Sequence, residues 1–74
     1  MSEYGVVLVH TTSAALRGEK ILQQTGLTVK LIPVPRELSS DCGIALRFLW
    51  EEREAVEDAL NAAGLEIAGV HRLT

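Results

Sequence analysis

Apolar and polar positions along the chain predict six elements in the order strand, helix, strand, strand, helix, strand. Four short segments are rich in β-branched residues or alternate apolar with polar positions, as strands do. They are residues 4–10, 27–32, 44–49 and 65–73. The two segments between them, 13–25 and 51–63, repeat apolar residues at the spacing of one helix face. Gly26 and Gly64 follow these segments and are expected to end the helices in a left-handed conformation.

Each predicted helix has a start signal and an apolar side. Thr12 or Ser13 is the expected N-cap of the first helix. The acidic start of the second helix suits the positive end of the helix dipole. The predicted apolar side of the first helix consists of Ala15, Leu16, Ile21 and Leu22, and that of the second of Val56, Ala59, Leu60 and Ala63.

The βαββαβ order indicates an α+β, ferredoxin-like fold. We expect an antiparallel sheet of four strands in the order 4-1-3-2, with both helices on one face. In this topology the third strand starts at the sheet end where the first strand finishes. Cys42 is therefore predicted to lie near His10, Thr11, Thr12 and the N-terminus of the first helix. The end of the second strand, with Pro33 and Arg36, is expected at the same sheet end.

Composition and charge limit the class of protein. The 74 residues, 47% hydrophobic and 23% charged, are typical of one globular domain over residues 1–74. The net charge of −3 argues against a nucleic-acid or anionic-membrane partner. No apolar run approaches the roughly 20 residues of a membrane helix, and the first residues lack the basic start of a secretory signal. A single thiol suits a reducing compartment, so we expect a cytoplasmic protein.

The middle of the chain, residues 32–43, contains both prolines and the single cysteine. Proline fixes φ and removes a backbone donor, so Pro33 and Pro35 are predicted to end the second strand and to send the chain out as an extended arm. Gly43 removes bulk beside the thiol and permits either close approach or an unusual φ.

Short polar residues follow the prolines. Ser39, Ser40 and Asp41 bond back to nearby backbone and favour turns. The segment is therefore interpreted as a loop that presents Cys42, supported by the rest of the chain.

The predicted surroundings of Cys42 suit an activated thiol. The pKa of a thiol falls near helix N-termini and cations, and the thiolate is the nucleophile. The first helix, His10 and Arg36 are the candidate stabilisers. Asp41 acts against them, because a neighbouring carboxylate disfavours a second negative charge. Asp41 could instead act on protons during transfer or cap the turn, and the residues alone leave these alternatives open.

Structural roles compete with the chemical ones. Free cysteine is often buried as a small hydrophobe, and Cys42 has the same strand parity as Ile44. His10 ends an apolar strand, where a hydrogen-bonded structural histidine is common. One cysteine and two distant histidines lack metal-ligand spacing, and no phosphate-binding glycine loop occurs. No metal and no cofactor are predicted.

The proline–cysteine segment resembles the selenium/sulphur carrier-like family of small bacterial proteins. The resemblance rests on the runs IPVPR (32–36), LSS (38–40), CG (42–43) and ALRF (45–48). It implies that Cys42 carries sulphur or selenium, as a persulphide or selenosulphide, between a donor and an acceptor protein. It also implies that Pro35, Arg36, Ser39, Ser40 and Gly43 shape the loop. We therefore expect a carrier protein rather than an enzyme.

Two further hypotheses follow from the residues. The alternative function is a protein–protein docking or assembly module in which Cys42 is structural. Self-association, as a dimer, is expected through the sheet face that the helices leave uncovered or through an edge strand, because alternate strand positions are apolar. Those positions are Val7, Val9, Ile32, Ala45, Leu49, Ala68 and Val70.

Overall fold

The computed structural model describes residues 3–38 and 43–73 and has the predicted order of elements. The elements are β1 (Tyr4–Leu8), α1 (Thr12–Gln24), β2 (Val29–Pro33), β3 (Ile44–Leu49), a 3₁₀ turn (Trp50–Glu52), α2 (Arg53–Ala62) and β4 (Gly69–Leu73). The βαββαβ prediction is therefore confirmed.

The four strands form one antiparallel sheet in the order β2-β3-β1-β4. This is the predicted order 4-1-3-2, and the fold is ferredoxin-like. β1 lies in the interior of the sheet, where Val7 pairs with Leu46 on one side and with Val70 on the other. Strands favour β-branched apolar residues, and in this interior strand Val6 and Val7 are both fully buried.

Both helices pack on one face of the sheet, as predicted. Alternate strand residues point to this covered face, among them Leu46 and Phe48, which are almost completely inaccessible to solvent. They form one continuous core with the helices. The buried members of this core are Val7, Val9, Ala15, Leu22, Leu46, Phe48, Val56, Leu60 and Leu65.

The start of α1 differs by one residue from the prediction. Thr11 is the N-cap, because its backbone is extended and its Oγ1 accepts a hydrogen bond from the Ala14 amide at 3.0 Å. Leu16 was expected on the apolar side but is 53% exposed. Gly18 is buried instead, and a Cβ there would lie 2.8 Å from Leu46 Cδ1. The glycine lets the helix approach the sheet closely.

Both helices end in the same backbone motif, which shortens two predicted strands. Gly26 and Gly64 have φ of 83° and 74°, the left-handed conformation predicted for them. Leu27 donates its amide to Leu22 O, and Leu65 donates its amide to Leu60 O, each at 3.0 Å. This is the Schellman arrangement, in which the residue after the glycine packs back on the helix. Leu27 and Leu65 therefore belong to helix ends rather than to strands.

The start of α2 is preceded by a 3₁₀ turn. The regular α-helix begins at Arg53, two residues after the predicted start, because Trp50–Glu52 adopt the tighter geometry. The amide of Trp50 donates to Glu3 O at 2.9 Å and joins this turn to the start of β1. Neither α1, with 13 residues, nor α2, with 10, is long and apolar enough to cross a membrane.

A second and smaller apolar cluster lies on the face that the helices leave uncovered, called here the open face. Its buried members, Val6, Leu8 and Ala45, alternate with the residues of the main core. Of the seven apolar positions behind the dimer hypothesis, Val7, Val9 and Val70 point to the covered face, whereas Ile32 and Ala45 belong to the open face. These positions are therefore divided between the two faces, and the dimer stays a prediction.

Candidate functional site

The predicted site residues are brought to one end of the sheet by the pairing of β1 with β3. Leu8, the last residue of β1, pairs with Ala45, near the start of β3. His10 and Gly43 each lie two residues beyond this pair and therefore extend from the same sheet end. Residues 39–42 lie outside the described part of the chain. The hypotheses about Ser39, Ser40, Asp41 and Cys42 therefore stay predictions.

Pro33 occupies the last position of β2, on the edge of the sheet, where it pairs with Ile44. The next residue, Val34, donates its amide to Gly43 O at 3.1 Å, so the ladder continues past the first proline. Hydrogen-bonded and non-hydrogen-bonded pairs alternate in an antiparallel ladder. The nitrogen of Pro33 therefore faces the free edge, where its missing N–H costs no ladder bond and hinders the addition of a further strand.

The segment after Pro33 folds back onto the sheet instead of extending away from it. Leu38 donates its amide to Pro35 O at 3.0 Å, which closes a turn directly after the second proline. Val34 and Leu38 both pack against the open-face cluster. The prediction of an extended arm was therefore wrong for residues 34–38. Packing removes the apolar surface of Val34 and Leu38 from water, and the free energy gained favours the folded-back segment over an extended one.

Gly43 is exposed. Among residues 3–38 and 43–73, no atom lies within 4 Å of the position that a Cβ would occupy. The two roles expected for this glycine, close approach and an unusual φ, stay predictions. A shallow, almost wholly apolar groove of about 260 Å³ adjoins it, lined by Leu31, Ile32, Pro33, Gly43 and Ile44.

His10 lies just after β1 and is paired with a residue that the sequence did not indicate. Its Nε2 is 3.7 Å from Glu66 Oε1, and the histidine side chain is 45% exposed. Glu66 lies in the connection between α2 and β4, where no periodic pattern marks it. Among residues 3–38 and 43–73, no three His, Cys, Asp or Glu side chains come together as a metal site would require.

The start of α1 and the turn at Arg36 lie at the same sheet end but on opposite faces. Thr12 is the first residue of α1, which packs on the covered face. The first-turn amides and the positive end of the helix dipole are therefore directed to this sheet end. Arg36 is exposed in the turn that Val34 and Leu38 hold on the open face. A helix N-terminus and a cation therefore lie at this sheet end, one on each face.

These features define a small ferredoxin-like α+β protein in which the β2–β3 connection contains the single cysteine. The chain belongs to the family described as "Putative Se/S carrier protein-like", whose sequence model matches residues 4–72. The match spans both helices, the proline–cysteine segment and all strand residues except Leu73, the last residue of β4, and it confirms the family that this segment indicated. No curated protein and no solved structure matches the chain at a significant level of similarity.

Proposed function

We propose that this protein carries one sulphur or selenium atom on Cys42 between a donor protein and an acceptor protein. The observation that carries the proposal is the family match over residues 4–72, which includes the whole proline–cysteine segment. The arrangement of the described residues supports it, because a helix start and the turn at Arg36 lie at the sheet end from which Gly43 leads to Cys42.

The loading step is a thiol exchange that needs no external oxidant. The Cys42 thiolate attacks the outer sulphur of a donor cysteine persulphide. A new S–S bond forms to Cys42, the donor's own S–S bond breaks, and the donor leaves as a thiolate. With a selenium donor the transferred atom is selenium, and the product is a selenosulphide. Delivery repeats the exchange with the acceptor as the attacking thiolate.

The charges around the loop favour the loaded form. A persulphide is more acidic than its parent thiol, so it is anionic near neutral pH. The start of α1 stabilises an anion as helix N-termini do in general, and Arg36 adds a charge-assisted contact. Ser39 and Ser40 are the proposed hydroxyl donors, and Asp41 has an opposing or proton-handling role.

The open surroundings of Gly43 suit a relay between proteins. A carrier needs its reactive sulphur to meet the sulphur of a second protein, so a deep cavity would hinder it. The space around Gly43 and the shallow groove beside it leave room for such a partner.

Intact mass spectrometry after incubation with a desulphurase and cysteine, or with selenocysteine, tests the proposal. Wild-type protein should gain the mass of one sulphur or selenium atom, and reduction with a thiol should remove it. Cys42→Ser keeps a hydrogen-bonding side chain of similar shape without the nucleophile, and should not gain mass. Arg36→Ala should load but lose the atom faster.

The reactivity of the thiol gives a second test that needs no donor. The alkylation rate of Cys42 should titrate below the value of about 8.5 that a model thiol has, and Arg36→Ala should raise that midpoint. A wild type that never gains the mass, or a Cys42→Ser variant that gains it equally, would contradict the carrier function. The docking module with a structural Cys42 would then be the better hypothesis.

A further inference from the structure

Charge is segregated between the layers of this protein. The strands contain no acidic residue, and their charged side chains are Lys30, Arg47 and Arg72. Half of the ten carboxylates of the chain lie between residues 51 and 58, in the 3₁₀ turn and α2. All charged side chains of the sheet are therefore basic, although the chain has a net charge of −3.

The basic strand residues of the open face lie in one row across the sheet, with the fully buried Val6 between Arg47 and His71. Lys30 pairs with Arg47, Arg47 pairs with Val6, and Val6 pairs with His71. Each of these residues alternates with residues of the covered face, and so they point to the same side. With strands about 4.8 Å apart, the row spans about 14 Å.

Neighbouring contacts hold two members of the row against the sheet. The guanidinium carbon of Arg47 lies 4.5 Å from the centre of the Tyr4 ring. A Cβ on Gly69 would lie 3.2 Å from His71 Nε2, so the glycine makes room for the imidazole. Preorganised side chains lose less entropy on binding than mobile ones.

Among the described residues, the two permanent cations of this row have no acidic partner. The ion pairs among residues 3–38 and 43–73 join His10 to Glu66, Arg53 to Glu57 and Arg72 to Glu3, and none involves Lys30 or Arg47. Tyr4, 38% exposed, pairs with the half-buried Leu49 and Leu73 and forms an apolar border on one side of the row.

We propose that the open face binds a carboxylate-bearing amphipathic segment of a partner protein. The carboxylates would pair with Lys30 and Arg47, and the apolar side of the segment would contact Tyr4 and its neighbours. A guanidinium accepts a carboxylate in a fixed bidentate geometry, which makes Arg47 the specific anchor. The proposal does not depend on the chemistry of Cys42.

Single-stranded nucleic acid fits the same face less well. Such ligands are held by several stacked aromatic side chains together with many cations. The chain has three aromatic residues, and Phe48 and Trp50 belong to the covered face, where they stack on each other. One face of the Tyr4 ring is already covered by Arg47, and the net charge of the chain repels a polyanion.

A face-to-face dimer of this surface is also disfavoured. Two-fold symmetry would place the row of one copy against the row of the other, and like charges in contact destabilise an interface. A protein segment with carboxylates complements the row without this repulsion.

The experiment uses a labelled helical peptide of about 15 residues, with glutamates along one face and leucines beside them. The matched peptide has glutamine in place of every glutamate. Fluorescence anisotropy with the full chain should show binding of the glutamate peptide, weakened by salt, and little binding of the glutamine peptide. Amide shifts in an NMR titration should centre on Lys30, Arg47 and His71.

Two charge-matched variants locate the contact. Lys30→Gln/Arg47→Gln should weaken binding about ten-fold, the effect of two exposed ion pairs. Lys20→Gln/Arg53→Gln removes the same charge from the helices and should change binding less than about two-fold. Cys42→Ser should bind as the wild type does, which separates this surface from the proposed carrier chemistry.

Four results would overturn the proposal. These are no binding of the glutamate peptide at about 1 mM, equal binding of the glutamine peptide, and an equal loss in the Lys20→Gln/Arg53→Gln control. The fourth is a different occupant of the face. This would be single-stranded RNA that binds more tightly than the peptide, or a dimer seen by sedimentation, if Lys30→Gln/Arg47→Gln abolishes that binding or that dimer. The position of the NMR shifts and the salt dependence in wild-type protein remain decisive even if a variant folds poorly.

Discussion

The two faces of the sheet are buried in different ways. On the covered face, large side chains such as Leu46 and Phe48 are enclosed by two helices. On the open face, Val6, Leu8 and Ala45 are buried by strand neighbours and by Val34 and Leu38 from the β2–β3 connection. The covered face therefore supplies most of the stability. The open face contributes less stability, and its contribution depends on Val34 and Leu38, which precede Cys42 in the β2–β3 connection.

Truncation of a core side chain on the covered face should have the largest effect. Leu46→Ala removes a fully buried side chain and should destabilise the protein by about 2–5 kcal/mol. Urea unfolding followed by circular dichroism measures this. Leu16→Ala is the control, because Leu16 is 53% exposed and should change stability by less than about 0.5 kcal/mol. Equal losses in the two variants would contradict the assignment of the faces.

A methyl group added at Gly5 should have the next largest effect. Its Cβ would lie 2.5 Å from Trp50 Cε3 and 2.7 Å from Phe48 Cζ, so the two rings would have to move. Gly5→Ala should cost about 1–3 kcal/mol, the usual penalty for overpacking a core. The fluorescence of Trp50, the single tryptophan, should change as well. A variant as stable as the wild type would show that the rings do not fill this site.

Truncation on the open face should affect stability less and reactivity more. Leu38→Ala removes part of the cover over Val6 and Leu8, and should cost about 1 kcal/mol. Because Leu38 anchors the turn after Pro35, the alkylation rate of Cys42 should also change. Ile21→Ala, half-buried against the main core, is the matched control and should lower stability without changing that rate. Equal alkylation rates in the wild type and the two variants would show that the turn does not influence the reactivity of the thiol.

Added bulk at Gly43 should have the smallest effect on stability. No atom of the described residues lies within 4 Å of its Cβ position, so Gly43→Val should change the free energy of unfolding by less than about 0.5 kcal/mol. If a partner protein approaches beside Gly43, sulphur loading from a protein donor should slow. Alkylation by a small reagent should be nearly unchanged. A variant that loads as fast as the wild type would show that this side is not used.

Local patterns in the sequence determined the order of the elements and therefore the topology. Helix and strand periodicity depends on residues a few positions apart, and βαββαβ has few ways to close into a sheet. The convergence of His10, Thr12, Pro33 and Gly43 at one sheet end followed from that topology, and the structure has it. The two left-handed glycines were also predictable, since few other residues adopt that conformation.

Tertiary structure alone decided which residues each face contains and what covers them. Leu27 and Leu65 have the apolar character of strand residues, but they pack against the core directly after the helices, and β2 and β4 begin only at Val29 and Gly69. Gly18 is buried because a helix meets a sheet there. Leu38 covers residues of β1 that are distant from it along the chain. The row likewise consists of residues from three separate strands, Lys30, Arg47 and His71. No local pattern marks such contacts, because they exist only once the strands have paired.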